Sequence, residues 1–173
     1  IPSLAPNGFE VDVIPSIKIG AIEFMMTEMA WWNSTWAKCQ EMNVTGGDAI
    51  LTNFTFFVNV TYDSDMQADF DDIRFVNGSC SNGGTEMPYE IEKKGDSNYE
   101  NVWVMAPILN TGMNQFSMYY NNPTATSGEN LANTWDSDYL RVFHFNSSTT
   151  TSVFDSSPQR KVATAVNFAG NEY

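Results

Sequence analysis

The strongest constraint on the fold is a two-residue hydrophobic period, written most plainly in the stretch NFTFFVNVTYD at residues 53–63. In an extended chain successive side chains point to opposite faces. Phe54, Phe56, Val58 and Val60 then share one face, and Asn53, Thr55, Phe57, Asn59 and Thr61 share the other. The first set reads as a core face and the second as an outward one. Asn53 and Asn59 each open an Asn-x-Thr triplet, so both acceptors are expected on the outward face, about 20 Å apart at the usual strand rise.

The same period recurs along the chain, and long helical periodicity is absent. Strands are expected at 9–13, 37–45, 52–62, 72–76, 87–93, 101–106, 114–120, 139–146 and 161–168. Turn chemistry separates them: TGGD at 45–48, NGSCSNGG at 77–84, KGDSN at 94–98, NTGMN at 110–114 and NNPTATSGEN at 121–130. A turn or two of helix is expected near 128–135. Short strands at this spacing indicate an all-β fold, an antiparallel β-sandwich of jelly-roll or immunoglobulin-like type with an extended N-terminal strand segment. At 173 residues the chain suits one domain with appendages.

Asn-x-Ser/Thr triplets begin at Asn33, Asn43, Asn53, Asn59, Asn77 and Asn146, whereas Asn122 is followed by proline. With 18 Asn and 30 Ser plus Thr among 173 residues, random placement gives about three matches (18 × 30/173). The excess points to N-linked glycans and a secretory route, against the alternative of Thr-rich strands beside Asn-rich turns. Cys39 and Cys80 are the only cysteines. In a secreted chain they suggest one disulfide, with two buried thiols as the alternative. The chain starts at Ile1 without an initiator Met, which fits a removed leader or a fragment.

Charge excludes more than it suggests. Eight basic against 21 acidic residues give −13, and nucleic-acid affinity comes largely from Lys and Arg meeting phosphate. No nucleic-acid partner is expected. No membrane span is expected either, because the greasiest stretch, AIEFMMTEMAWW at 21–32, is interrupted by Glu23 and Glu28. The acidic clusters at Asp63 and Asp65 and at Asp69, Asp71 and Asp72 make calcium conceivable. They lack a calcium-loop pattern, so solvated loops are the default and no metal or other cofactor is expected.

Catalytic signals are poor. His144 is the only histidine and reads as a buried structural residue on a face with Leu140 and Val142. Glu90 and Glu92, followed by Lys93 and Lys94, read as a solvated, charge-balanced face rather than a glycosidase pair. Trp103, between Val102 and Val104, reads as core. No enzyme is expected.

Several ordered blocks carry a resemblance: WWNSTWAKCQEMNVT, LTNFTFFVNVTYDSD, DFDDIRFV, MPYEIEK, NVWVMAP, FSMYYNNPTATS and DYLRVFHF. Over about residues 31 to 145 the chain resembles the domain-of-unknown-function 2341 family. That resemblance implies a β-sandwich on the cell exterior and implies no catalysis. The tail, LRVFHFN through VFDSSPQRKVATAVNFAGNEY, is similar to the opening of a concanavalin/laminin-G-like domain. This divides the chain into an extension at 1–30, a sandwich at 31–146 and tail strands at 147–173, packed on the sandwich or on a neighbour.

Residues 1–30 belong to neither resemblance. Their alternating apolar residues, Phe9, Val11, Val13, Ile17 and Ile19, can cover the domain's own sheet or add a strand to a neighbour's edge. With Trp31 and Trp32 they form the expected subunit interface. Strand donation from head to tail does not close on itself and yields filaments. The expectation is therefore an extracellular, N-glycosylated structural subunit that polymerises with identical copies. The alternative is a surface carbohydrate-binding module or adhesin, with a glycan ligand stacked on exposed tryptophans.

Overall fold

A computed structural model describes residues 31–92, 99–145 and 152–164. The elements in chain order are β1 (Lys38–Gly46), β2 (Leu51–Thr61), β3 (Arg74–Asn77), β4 (Thr85–Met87), β5 (Tyr89–Ile91), β6 (Tyr99–Leu109), β7 (Gly112–Tyr120), α1 (Leu131–Thr134), β8 (Ser152–Phe154) and β9 (Val162–Thr164). Among the described residues these form three antiparallel sheets, ordered β1-β7-β3-β4, β2-β6-β5 and β8-β9. The first two pack face to face, so the expected all-β sandwich is what the chain forms.

The pairing is nested. β1 pairs with β7 and β2 with β6, while the consecutive strands β1 and β2 lie in different sheets, as do β6 and β7. This nested order differs from the immunoglobulin order, in which the first two strands pair with each other. Both crossings lie at one end of the sandwich, where Asn114 is buried. Its Oδ1 accepts from the Asn110 N–H at 2.8 Å, and its Nδ2 donates to Asn110 O at 2.8 Å and Gly112 O at 3.1 Å. A Cβ at Gly46 would sit 2.0 Å from Asn110 O, so only glycine lets β1 pass that close.

The core between the sheets follows the two-residue period. Phe56, Val60, Phe75, Met87, Tyr89, Val102, Val104, Ala106, Phe116 and Met118 are all buried. Phe56 of one sheet stacks on Phe116 of the other, with centroids 5.4 Å apart. A second cluster of Trp36, Val76 and Tyr119 covers the outer side of the first sheet, with Trp32 and Cys39 against it. There Cys39 and Cys80 form the disulfide, with Cα atoms 5.8 Å apart across 41 residues of sequence.

Several local expectations change. The strand expected at 87–93 is split by Pro88, which has no N–H for a ladder. β4 and β5 thus belong to different sheets, and the chain turns the corner between them. Residues 139–146 form no strand as far as they are described; only Phe143 makes a bridge, to Asp155. Trp103 is not core: Val102 and Val104 take the inner face, and Trp103 lies on the outer one against Phe57 and Trp135. Thr55, also on that outer face, is buried because its hydroxyl donates to Thr134 O of α1 at 2.6 Å.

Glu90 is the largest departure. It sits on β5 opposite Trp103 and is only 4% exposed. The segment after β7 folds over it. Trp135 donates its indole N–H to Oε2 at 2.5 Å, and the Ser156 hydroxyl bonds Oε1. His144 Nε2 lies 3.3 Å from Oε2, close enough for an ion pair but without the alignment of a directed hydrogen bond. Burial pushes the Glu90 carboxyl up, yet His144, Ser156 and Trp135 outweigh it and hold the group below its usual range. Burial likewise lowers His144, and Glu90 with Glu92 more than reverses this. The expected solvated face is therefore an enclosed ionic cluster.

Candidate functional site: the open seam between the sheets

A sandwich has two sides along which its sheets can part. On one side the chain itself bridges them through β4, Pro88 and β5. On the other side stand β1 and β2, the edge strands of the two sheets. Among the described residues no strand pairs with the outer edge of either. A cleft of about 420 Å³ lies between them, lined by residues 40–44 of β1, residues 56–61 of β2 and Met118 of β7.

The cleft has an apolar floor beneath a polar mouth, and the lining explains both. Met42 and Val44 on β1 and Val58 on β2 point toward the core but are only half-buried, because each has one flank on the cleft. Phe56, Val60 and Met118 are buried beneath them. The rim is polar. Asn43 on β1 and Asn59 on β2 are exposed and alternate with the inward residues of their strands. Glu41 accepts from Gln115 at 2.6 Å, and Asn59 Nδ2 donates to Asn101 Oδ1 at 3.1 Å. Past the end of the lining, Lys38 pairs with Asp65 and the Tyr120 hydroxyl donates to Asp63 at 3.1 Å, joining β1 and β7 to the turn after β2. The Asp65 carboxylate, as hydrogen-bond partner and as charge, holds the Lys38 ammonium above its usual range.

What this arrangement offers is backbone and apolar surface together. An unpaired strand edge presents a row of N–H and C=O groups, a template for another extended segment. An apolar floor between two such edges accepts every second side chain of that segment. Nothing in the lining is arranged for bond-making chemistry.

The other expected site residues are scattered. Asn53 and Asn77 are exposed, and Asn33 is half-buried with Oδ1 accepting from the Thr35 N–H at 3.0 Å and hydroxyl at 2.8 Å. Asn53 has φ of 51°, at the point of β2 facing Pro107, which has no N–H to offer it. Asn146, and the interface residues Phe9, Val11, Val13, Ile17 and Ile19, lie outside the described residues. Trp31 and Trp32 pack on their own domain, with centroids 5.0 and 5.4 Å from the Tyr119 ring. Among the described residues no three His, Cys, Asp or Glu side chains converge to hold a metal ion. Asp72 is consumed structurally: its carboxylate accepts from the backbone N–H groups of Gln67, Asn121 and Asn122 at 2.9, 2.9 and 3.2 Å.

Sequence reading missed the seam and Glu90. The alternation in EMNVTG marked β1 as a strand, but only pairing shows that β1 has one neighbour among the described residues. No local pattern distinguishes Glu90 from a surface acid, because the groups enclosing it come from 45 and 66 residues further along.

Fold and site together define an antiparallel β-sandwich with one closed side and, among the described residues, one open seam with an apolar floor. The chain belongs to the family described as a domain of unknown function (DUF2341), which matches residues 69–161, 93 of the 173 residues. The match runs through β8, taking in chain for which the tail suggested a concanavalin-like domain; that second resemblance finds no support. No curated protein and no solved structure matches the chain. The disulfide is compatible with an oxidising compartment. No described helix is long and apolar enough to cross a membrane.

Proposed function

We propose that this protein is an extracellular, N-glycosylated structural subunit that polymerises head to tail, each copy lodging an N-terminal strand in the next copy's seam. The open seam carries this reading. Its lined stretch of β1, residues 40–44, is five residues long. Phe9, Val11 and Val13 span five residues with apolar side chains at every second position. Thirty residues precede Trp31, enough for about 100 Å of extended chain. A copy's own segment would have to round β1 from Trp31, which is packed on the outer side of the first sheet beside Tyr119. The carbohydrate-binding alternative is the weaker reading, since Trp31 and Trp32 are engaged with Tyr119 and Trp36.

The test combines electron microscopy of native material with a cysteine pair, Val11→Cys and Val58→Cys, in the full chain. Ordered filaments and a non-reducing ladder of covalent multimers are expected. A cross-linked monomer would make the segment a cover for its own domain, and monodisperse particles would remove the polymer altogether.

A further inference from the structure

Two of the Asn-x-Thr triplets occupy related places that the sequence alone did not connect. Asn43 lies on β1 and Asn59 on β2, the two edge strands, and both line the mouth of the same cleft. Met42 and Val44 flank Asn43 and point inward, and Val58 and Val60 do the same around Asn59. Each Asn is exposed on the outward face of its own sheet, so the two project from opposite faces of the sandwich. Thr45 and Thr61, the third members of the triplets, are exposed as well. Asn59 Nδ2 has two hydrogens, and the bond to Asn101 Oδ1 uses one. Replacing the other with a sugar leaves that bond in place.

We infer that Asn43 and Asn59 carry N-linked glycans that act as a pair of guards on the seam. This rests on the strand-donation reading and adds a selection step to it. Bare edge strands pair indiscriminately with other edges, and proteins block this with bulk or charge beside the edge. Two edges meet here; β1 carries only Lys38, paired with Asp65 past the end of the cleft, and Glu41, and β2 carries no charged residue within its limits. A second sandwich approaching edge-on brings two sheets about 10 Å apart, and its flanks meet a glycan on each side. A single extended segment enters between the glycans, because it occupies only the roughly 4.8 Å of one strand position. The glycans thus admit a donated strand and refuse a whole sheet edge.

The test uses protein made in its native host. Peptide mass spectrometry should find both Asn43 and Asn59 displaced by a glycan mass. The variants Asn43→Gln/Asn59→Gln and Thr45→Ala/Thr61→Ala remove both acceptor triplets by different routes, and the second keeps both Asn side chains in case the first misfolds. Each is expected to retain filaments that now associate side by side into sheets or aggregates, read as increased width by electron microscopy and increased light scattering. Unmodified Asn43 or Asn59 in native material overturns the inference. So do separate filaments of unchanged width from a folded double variant. Wild-type protein that carries both glycans yet forms no filament overturns the strand-donation reading, and the guard role falls with it.

Discussion

Replacing Glu90 with alanine probes how the second half of the chain is held to the sandwich. The carboxylate is 4% exposed and receives the Trp135 indole N–H and the Ser156 hydroxyl, with the His144 imidazole 3.3 Å away as its ion-pair partner. Alanine leaves the buried Trp135 N–H without its acceptor and the His144 imidazole without its counter-charge. Removing one partner of a buried charge pair costs about 3–5 kcal/mol. For a domain of this size each kcal/mol lowers Tm by about 2–4 °C, so a fall of roughly 6–20 °C is expected. The pH dependence gives an independent check. Glu90 is held below its unfolded value, so its contribution is present above about pH 4.3 and is lost as pH falls through the lower folded value. His144 is raised, so its contribution is complete below about pH 6.5 and is lost as pH rises through the higher folded value. The wild-type advantage over Glu90→Ala should therefore be greatest between those limits and shrink on both sides. Thermal unfolding followed by tryptophan fluorescence at pH 3, 5.5 and 9 measures it. A Tm within about 2 °C of wild type, or an offset that does not vary with pH, would refute the reasoning.

Three other outcomes follow from the same structure. Reducing Cys39–Cys80 frees a loop closed across 41 residues, worth about 4 kcal/mol on the chain-entropy treatment, so denaturation in reductant should begin at clearly lower guanidinium. Asp72→Ala removes the acceptor of three backbone N–H groups at the base of the 63–72 turn and beyond β7. It should destabilise by about 3 kcal/mol, given 1–3 kcal/mol per orphaned buried group and partial rescue by water, read by urea titration. Val58→Asp charges the half-buried seam and should abolish filament formation while leaving a cooperative unfolding transition; intact filaments would argue that the seam is not the docking site.

How much of this was legible beforehand depends on the range of the interaction concerned. Alternation needs only neighbouring residues, so β1, β2, β6 and β7 and the sandwich class could be read from the order of side chains. Cys39 and Cys80, the only two cysteines, could be read as a pair from composition alone. The period of two assigns residues to faces but says nothing of what covers each face. Trp103 and Val104 are adjacent in one strand, yet one lies on the covered outer face and the other in the core. Glu90 became buried because Trp135, His144 and Ser156, far along the chain, close over it. The seam is a property of sheet order: β1 and β2 are consecutive strands whose partners, β7 and β6, are drawn from the other end of the domain. The sequence by itself determined which residues alternate and where the chain must turn, because those are local steric and solvation preferences. Only the tertiary structure decided which strand edges remain open among the described residues and which acid lies under cover, because each is set by long-range pairing.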